Sequence, residues 1–250
     1  MRSSSLTFLG GVGTVTGSKF LLDLPNSGRL LLDCGLFQGQ RDLRRRNWAT
    51  FPITPSSISA VTLSHAHLDH CGYLPALVRQ GFDGPVYATS RTAELASIVL
   101  RDSAKLMADE ADSANTFGWS VHDRALPLYD EADVERALER LVPLEHEEAV
   151  RLPGGRLRLH RAGHILGSSW VELVLNEGKT LVHSGDLGRP VHPLLQPPTP
   201  LSNTDVLLIE STYGSRHHDD SMTMEDMAQA ITTTAERGGS VLIPAFAPRS

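Results

Sequence analysis

Short apolar runs broken by turn residues open the chain. Leu6-Thr7-Phe8-Leu9, Lys19-Phe20-Leu21-Leu22 and Arg29-Leu30-Leu31-Leu32-Asp33 each have strand length, and Pro25-Asn26-Ser27-Gly28 between the last two reads as a turn. The pattern predicts an antiparallel meander. Strand and helix then alternate: a helix over 73–80 ending at Gly81, a short strand Pro85-Val86-Tyr87-Ala88, and a long helix from Thr92 to about Ala114. A polar stretch with Trp119 follows, then an amphipathic helix from Asp130 to Leu141 whose N-terminal acids suit the helix dipole. Strands return at Arg156-Leu157-Arg158-Leu159, Ser169-Trp170-Val171-Glu172-Leu173-Val174-Leu175, Thr180-Leu181-Val182-His183 and Asp205-Val206-Leu207-Leu208-Ile209. The last is apolar enough for a buried strand. A Pro-rich loop over 189–200 precedes it, and a helix over 223–239 leads to a final apolar strand, Ser240-Val241-Leu242-Ile243-Pro244.

A chain of 250 residues, 40% of them hydrophobic, can bury the core of one large domain or two small ones. Its net charge of −6 gives no global attraction to nucleic acid, so a polyanionic substrate has to be steered locally. Cys34 and Cys71 are the only cysteines, too few for a disulfide framework and not in a Cys-x-x-Cys arrangement, which fits a reducing cytoplasm. The apolar run near the start is too short for a signal peptide, and no later run approaches a membrane span. The expectation is a soluble cytoplasmic protein without a membrane partner.

Gly11-Val12-Gly13-Thr14-Val15-Thr16-Gly17 imitates a dinucleotide-binding fingerprint, with Asp33 placed like a ribose-binding acid. The context rejects it. A true fingerprint opens a helix, whereas residues 18–24 read as a strand leading into a hairpin, and the third glycine comes one position late.

Ser64-His65-Ala66-His67-Leu68-Asp69-His70 packs three imidazoles and a carboxylate directly behind the apolar run Ala60-Val61-Thr62-Leu63. In an extended segment alternate side chains share a face, so His65 and His67 can grip one ion while Asp69 and His70, where the chain turns, reach a second. Imidazole and carboxylate donors without a thiolate pair suit zinc, with manganese or iron as alternatives, and leave room for water. Two ions need about seven protein ligands, so others must come from strand ends opening into the same cleft. His164, in Ala162-Gly163-His164-Ile165-Leu166-Gly167-Ser168, and Asp186, in His183-Ser184-Gly185-Asp186-Leu187-Gly188, have that context. Glycines flank both and allow close approach of backbone.

These motifs resemble, in order, those of the metallo-β-lactamase superfamily: Leu32-Asp33-Cys34-Gly35, the His65 to His70 cluster, Ala162-Gly163-His164 and Ser184-Gly185-Asp186. Ile209-Glu210-Ser211-Thr212-Tyr213-Gly214 is similar to the acidic motif of its β-CASP branch of RNA- and DNA-processing nucleases. The resemblance implies an αββα sandwich over 1–209, with 210–250 beginning the inserted β-CASP domain. It implies two zinc ions, one held by His65, His67 and His164, the other by Asp69 and His70, with Asp186 bridging. Family members run on past the last strand to two further functional histidines and the closing strands. The expectation is therefore a truncated piece.

A pair of such ions turns a shared water into a hydroxide nucleophile near neutral pH, which suits cleavage of an RNA phosphodiester. Asp69 and Asp186 are the candidate acceptors of the water proton. Asp33 and Glu210 are expected to orient ligand imidazoles. Arg41, Arg44, Arg45 and Arg46, with Trp48 close by, are candidates for phosphate contact and base stacking, against the ordinary reading of a solvated charged loop. His217 and His218 receive no role. The leading expectation is a zinc-dependent ribonuclease with RNA as substrate. Its rivals are a hydrolase of a thioester, lactone or lactam on the same site, and a non-catalytic scaffold. A homodimer is left open.

Overall fold

The computed structural model describes residues 4–24, 27–201, 203–216 and 223–243, which fall into two units, Met1–Glu210 and Ser211–Ser250. In the first unit a six-stranded sheet runs in the order β1 (Ser5–Phe8), β2 (Phe20–Leu24), β3 (Gly28–Leu32), β4 (Ala60–Thr62), β5 (Val86–Thr89), β6 (Leu141–Leu144). The first three strands form the expected antiparallel meander, and β3 to β6 are parallel. Of the turn expected between β2 and β3, Pro25 and Asn26 lie outside the described residues. A second sheet holds β7 (Ala149–Leu152), β8 (Gly155–Arg161), β9 (Ser169–Leu175) and β10 (Thr180–His183) in antiparallel order, with β11 (Val206–Leu208) parallel to β10.

Side-chain alternation builds two cores. Leu22 and Leu24 of β2 and Leu30 and Leu32 of β3 meet Leu157, Leu159, Val171, Leu173 and Leu181 of the second sheet, so the two sheets pack face to face. The alternate residues Leu21 and Leu31, with Val61, Val86 and Ala88, point the other way and lie under helices. This two-sided burial explains why the first sheet's strands are nearly continuous apolar runs.

The covering helices are α3 (Leu74–Arg79), α4 (Ser90–Phe117) and α5 (Glu131–Leu138). On α4 the buried positions Ala93, Ala96, Leu100, Ala104, Ala111 and Ala114 recur every three, four or seven residues, giving one buried stripe. The Thr89 side chain accepts from Thr92 N–H at its start, and Gly118 at φ +66° stops it. A short helix α1 (Arg41–Arg45) with a following 3₁₀ turn, and α2 (Leu68–Cys71), occupy loops. In the second unit α6 (Met224–Glu236) starts at a capping box made by Thr223 and Asp226. No helix among the described residues is long and apolar enough to cross a membrane.

Three expectations change. The helix foreseen from Asp130 to Leu141 ends at Leu138, and Leu141 instead opens β6, because Val86 N–H bonds Arg140 O and Pro143 cannot continue a helix. The strand at Asp205 to Ile209 is an edge rather than buried: Val206 and Leu207 remain over 40% exposed, since among the described residues β11 pairs with β10 alone. Val241, Leu242 and Ile243 lie in no strand, as none runs beside them among the described residues; Pro244 falls outside those residues. The glycine-rich segment over 10–17 leads into β2 rather than a helix, as the hairpin context requires.

Candidate metal centre

Loops leaving the C-terminal ends of β3, β4, β8, β10 and β11 carry Asp33, residues 65–70, His164, Asp186 and Glu210 respectively, so the candidate residues gather at one edge of the paired sheets. Beyond β4 the chain stays extended through His67, whose carbonyl accepts from His70 N–H and Cys71 N–H, both at 2.9 Å. That turn starts α2 and brings the His70 ring back beside His65, with ring centroids 4.1 Å apart. The His164 loop is closed by the Ser168 hydroxyl, which accepts from the N–H groups of His164 and Ile165 at 2.9 and 3.2 Å. Two glycines let the loops touch. A Cβ on Gly188 would stand 1.7 Å from Gly163 O, and one on Gly185 2.6 Å from Ser64 Cβ.

Four donors converge. His65 Nε2 and His67 Nδ1 are 3.0 Å apart, His164 Nε2 is 3.3 Å from His67 Nδ1, and Asp186 Oδ2 lies 3.7 Å from His65 Nε2 and 3.4 Å from His164 Nε2. Donors bonded at about 2.0–2.1 Å in a tetrahedron stand about 3.3 Å apart, so this set fits one zinc-sized ion. The other oxygen of Asp186 faces a second set: Oδ1 is 3.3 Å from His70 Nε2, which is 3.8 Å from Asp69 Oδ2.

Asp33 fixes His70 from behind. Its carboxylate is fully buried and takes His70 Nδ1 at 2.7 Å, His183 Nε2 at 2.8 Å, and the hydroxyls of Ser18 and Ser64 at 3.1 and 3.0 Å on Oδ2, with Ser64 N–H at 2.8 Å on Oδ1. An ionised carboxylate only accepts, so His70 keeps a proton on Nδ1 for Asp33, and its Nε2 faces Asp186 and Asp69, where a cation would have to replace the second ring proton. Asp33 adopts φ +57°, a conformation that aspartate tolerates better than most residues.

Residues 28–244 match the beta-lactamase superfamily domain. The chain belongs to the metallo-β-lactamase superfamily. Its motif order puts it in the β-CASP branch. Ribonuclease TTHA0252 of Thermus thermophilus is 43% identical over 95% of this chain and 51% of its own length. The transcription termination factor FttA of Methanocaldococcus jannaschii is 32% identical over 96% of this chain and 37% of its own length. Integrator complex subunit 11 of Danio rerio is 30% identical, covering 95% and 39% respectively. The chain thus spans about half the length of the first of these relatives and under two fifths of the other two.

In this metallo-β-lactamase edge, electrostatics favour the ligating forms of His65, His164 and Asp186 and the protonated form of His70. Burial, then the neighbouring imidazoles, holds His65 well below the usual histidine range, and burial does the same more mildly for His164; neutral imidazole is the form that binds metal. Burial opposes protonation of His70 too, but Asp33 and Asp186 outweigh it and hold His70 well above that range. Burial alone would raise Asp186, yet the surrounding imidazoles, led by His70, push its carboxyl well below the usual range. Burial lifts Asp69 above its usual value.

His65, His67, Asp69, His70, His164 and Asp186 therefore come together, and Asp33 lies behind them without solvent access. Glu210 follows β11 and accepts from Leu187 N–H, just after Asp186, at 3.4 Å on Oε1, and its charge reaches His164. The arginines over 41–46 sit on an adjoining loop, exposed except through their anchor at Asn47. His217 and His218 lie outside the described residues. Sequence reasoning missed His183, which shares Asp33 with His70; the available signal was a histidine closing an apolar strand just before Ser184-Gly185-Asp186.

Proposed function

We propose that this chain carries the catalytic centre of a metal-dependent ribonuclease binding two zinc ions. The observation that carries the reading is Asp186, whose two oxygens face separate donor sets, one of His65, His67 and His164 and one of His70 and Asp69. The relative named as a ribonuclease supports RNA as the substrate. When bound, such ions supply water ionised near neutral pH and a Lewis acid for the phosphoryl oxygen. The protein's own part is positioning. Asp33 orients His70, Ser64 bonds His65 Nδ1 at 3.0 Å so that Nε2 points inward, and Gly35, Gly185 and Gly188 let the loops close. Asp186 is engaged through both oxygens and Asp69 faces His70 through Oδ2, which leaves Asp69 better placed to accept a proton from an attacking water.

The test is cleavage of an end-labelled single-stranded RNA by the zinc-loaded protein, beside parallel assays on a thioester, a lactone and a lactam. Chelation and His67→Ala should each lower RNA cleavage at least a hundredfold. Cleavage that survives both, or turnover confined to one of the esters, rejects the reading.

A further inference from the structure

Segment 41–48 carries Arg41, Arg44, Arg45 and Arg46 against one acid, Asp42, on a chain whose net charge is −6. On α1, positions 41, 44 and 45 share a face, so three guanidinium groups project side by side. All are exposed, and among the described residues their only ion pair is the solvent-exposed contact of Arg45 with Asp42 at 3.4 Å, which contributes little. Like charges gathered on one face repel one another, mildly because they are solvated. A polyanion laid across them relieves that repulsion.

The segment is also held rigidly, unlike an ordinary solvated loop. The Asn47 side chain is buried and clamps Phe37, accepting from its N–H at 2.9 Å and donating to its carbonyl at 2.8 Å. The Arg46 guanidinium stacks on the Phe37 ring at 4.0 Å. Residues 34–36, just before Phe37, are bonded to the turn bearing the candidate ligands: Cys34 N–H to His70 O at 2.7 Å and Leu36 N–H to Leu68 O at 2.8 Å. The arginines are thus fixed to the same backbone that positions Asp69 and His70. Trp48, ending the segment, is 62% exposed, an apolar plate with no core to fill.

We propose that segment 41–48 is a docking surface for single-stranded RNA leading to the metal centre, with Arg41, Arg44 and Arg45 on successive phosphates and Trp48 stacked on a base. It rests on the ribonuclease reading for the direction of the strand, but binding can be read separately from cleavage. The metal-loaded full chain is titrated with a short, fluorescent, cleavage-resistant phosphorothioate RNA over a range of salt concentrations. Replacing Arg41, Arg44 and Arg45 together by Gln should weaken binding at least tenfold at low salt and flatten the slope of log K against log salt by about 2, since each phosphate contact on a single strand contributes about 0.7. Trp48→Ala should weaken binding about tenfold and leave that slope unchanged. Wild-type affinity and slope in the triple variant, or no RNA binding by the parent, overturns the proposal. Arginine-dependent binding without any RNA cleavage keeps the surface and defeats the ribonuclease reading; cleavage with an unchanged KM in the triple variant does the opposite.

Discussion

Lys19 is 5% exposed, an unusual place for an ammonium, and it lies in the same layer as the candidate centre. Its Nζ donates to Gly35 O and sits 4.6 Å from the Phe37 ring and 4.8 Å from that of Tyr73. Burial is the main cause that brings its pKa down from 10.5 to about 8, and burial pushes the nearby Cys34 thiol up to about 12. The sign for stability follows. Between about pH 8 and 10.5 the unfolded chain holds more protons at this residue than the folded one, so stability rises with pH through that window, by about 3 kcal/mol in all from this group. Below pH 8 both states are charged and the burial cost stands in full. Urea unfolding across this range should show Lys19→Met with a flatter dependence than the parent; parallel curves would contradict the assignment. Among single residues, the histidine cluster was legible because three imidazoles in six positions have few other uses. Lys19 and His183 were not, because each sits in an apolar strand text and reveals its polar partner, Gly35 O or Asp33, only after distant segments meet.

Whole elements were legible where one periodicity ran on, as in α4, and misread where neighbours decide. Residues 139–144 carry helix-compatible side chains until Pro143, and only the bond from Val86 N–H to Arg140 O shows the chain already entering the first sheet. β7 escaped notice because its exposed positions Ala149 and Arg151 alternate with Val150 and Leu152 over just four residues. The loop with Cys34 and Gly35 is the element on which the centre depends most. A Cβ on Gly35 would lie 1.6 Å from Asp69 O, backbone that cannot yield without moving the turn to His70. Gly35→Ala is therefore expected to lose bound metal and most of its activity, whereas Gly39→Ala, with open space around it and only a φ of +80° to tolerate, should cost about 1–2 kcal/mol. Metal content by mass spectrometry and a melting curve for each variant separate the two; retention of metal by Gly35→Ala would contradict the packing argument.

At the scale of the molecule, the candidate ligands divide between the sheets: His65, His67, Asp69 and His70 follow a strand of the first, His164 and Asp186 strands of the second. Bound metal would tie the two together beyond their shared apolar core. At a free metal concentration a thousand times the Kd the linkage amounts to about 4 kcal/mol, and for a unit of this size that corresponds to roughly 10 °C in Tm. Chelation should lower Tm by about that amount, and His164→Ala should abolish the difference between loaded and stripped protein. The strand pattern alone gave the opening meander and the later strands; the sandwich itself was foreseen only through the family resemblance that the motif order carries. Its second edge was not, since whether β11 is buried depends on what lies beyond it rather than on its own residues.

The split of donors has a consequence for biosynthesis. About 120 residues separate His65 from Asp186, so a ribosome needs roughly 6 to 24 s between delivering the first imidazole and the last carboxylate. For about the first hundred residues of that interval the nascent polypeptide carries only the donors that follow β4, and the carboxylate that faces both donor sets comes last. The full donor set can therefore assemble only after β10 has joined β9 in the second sheet.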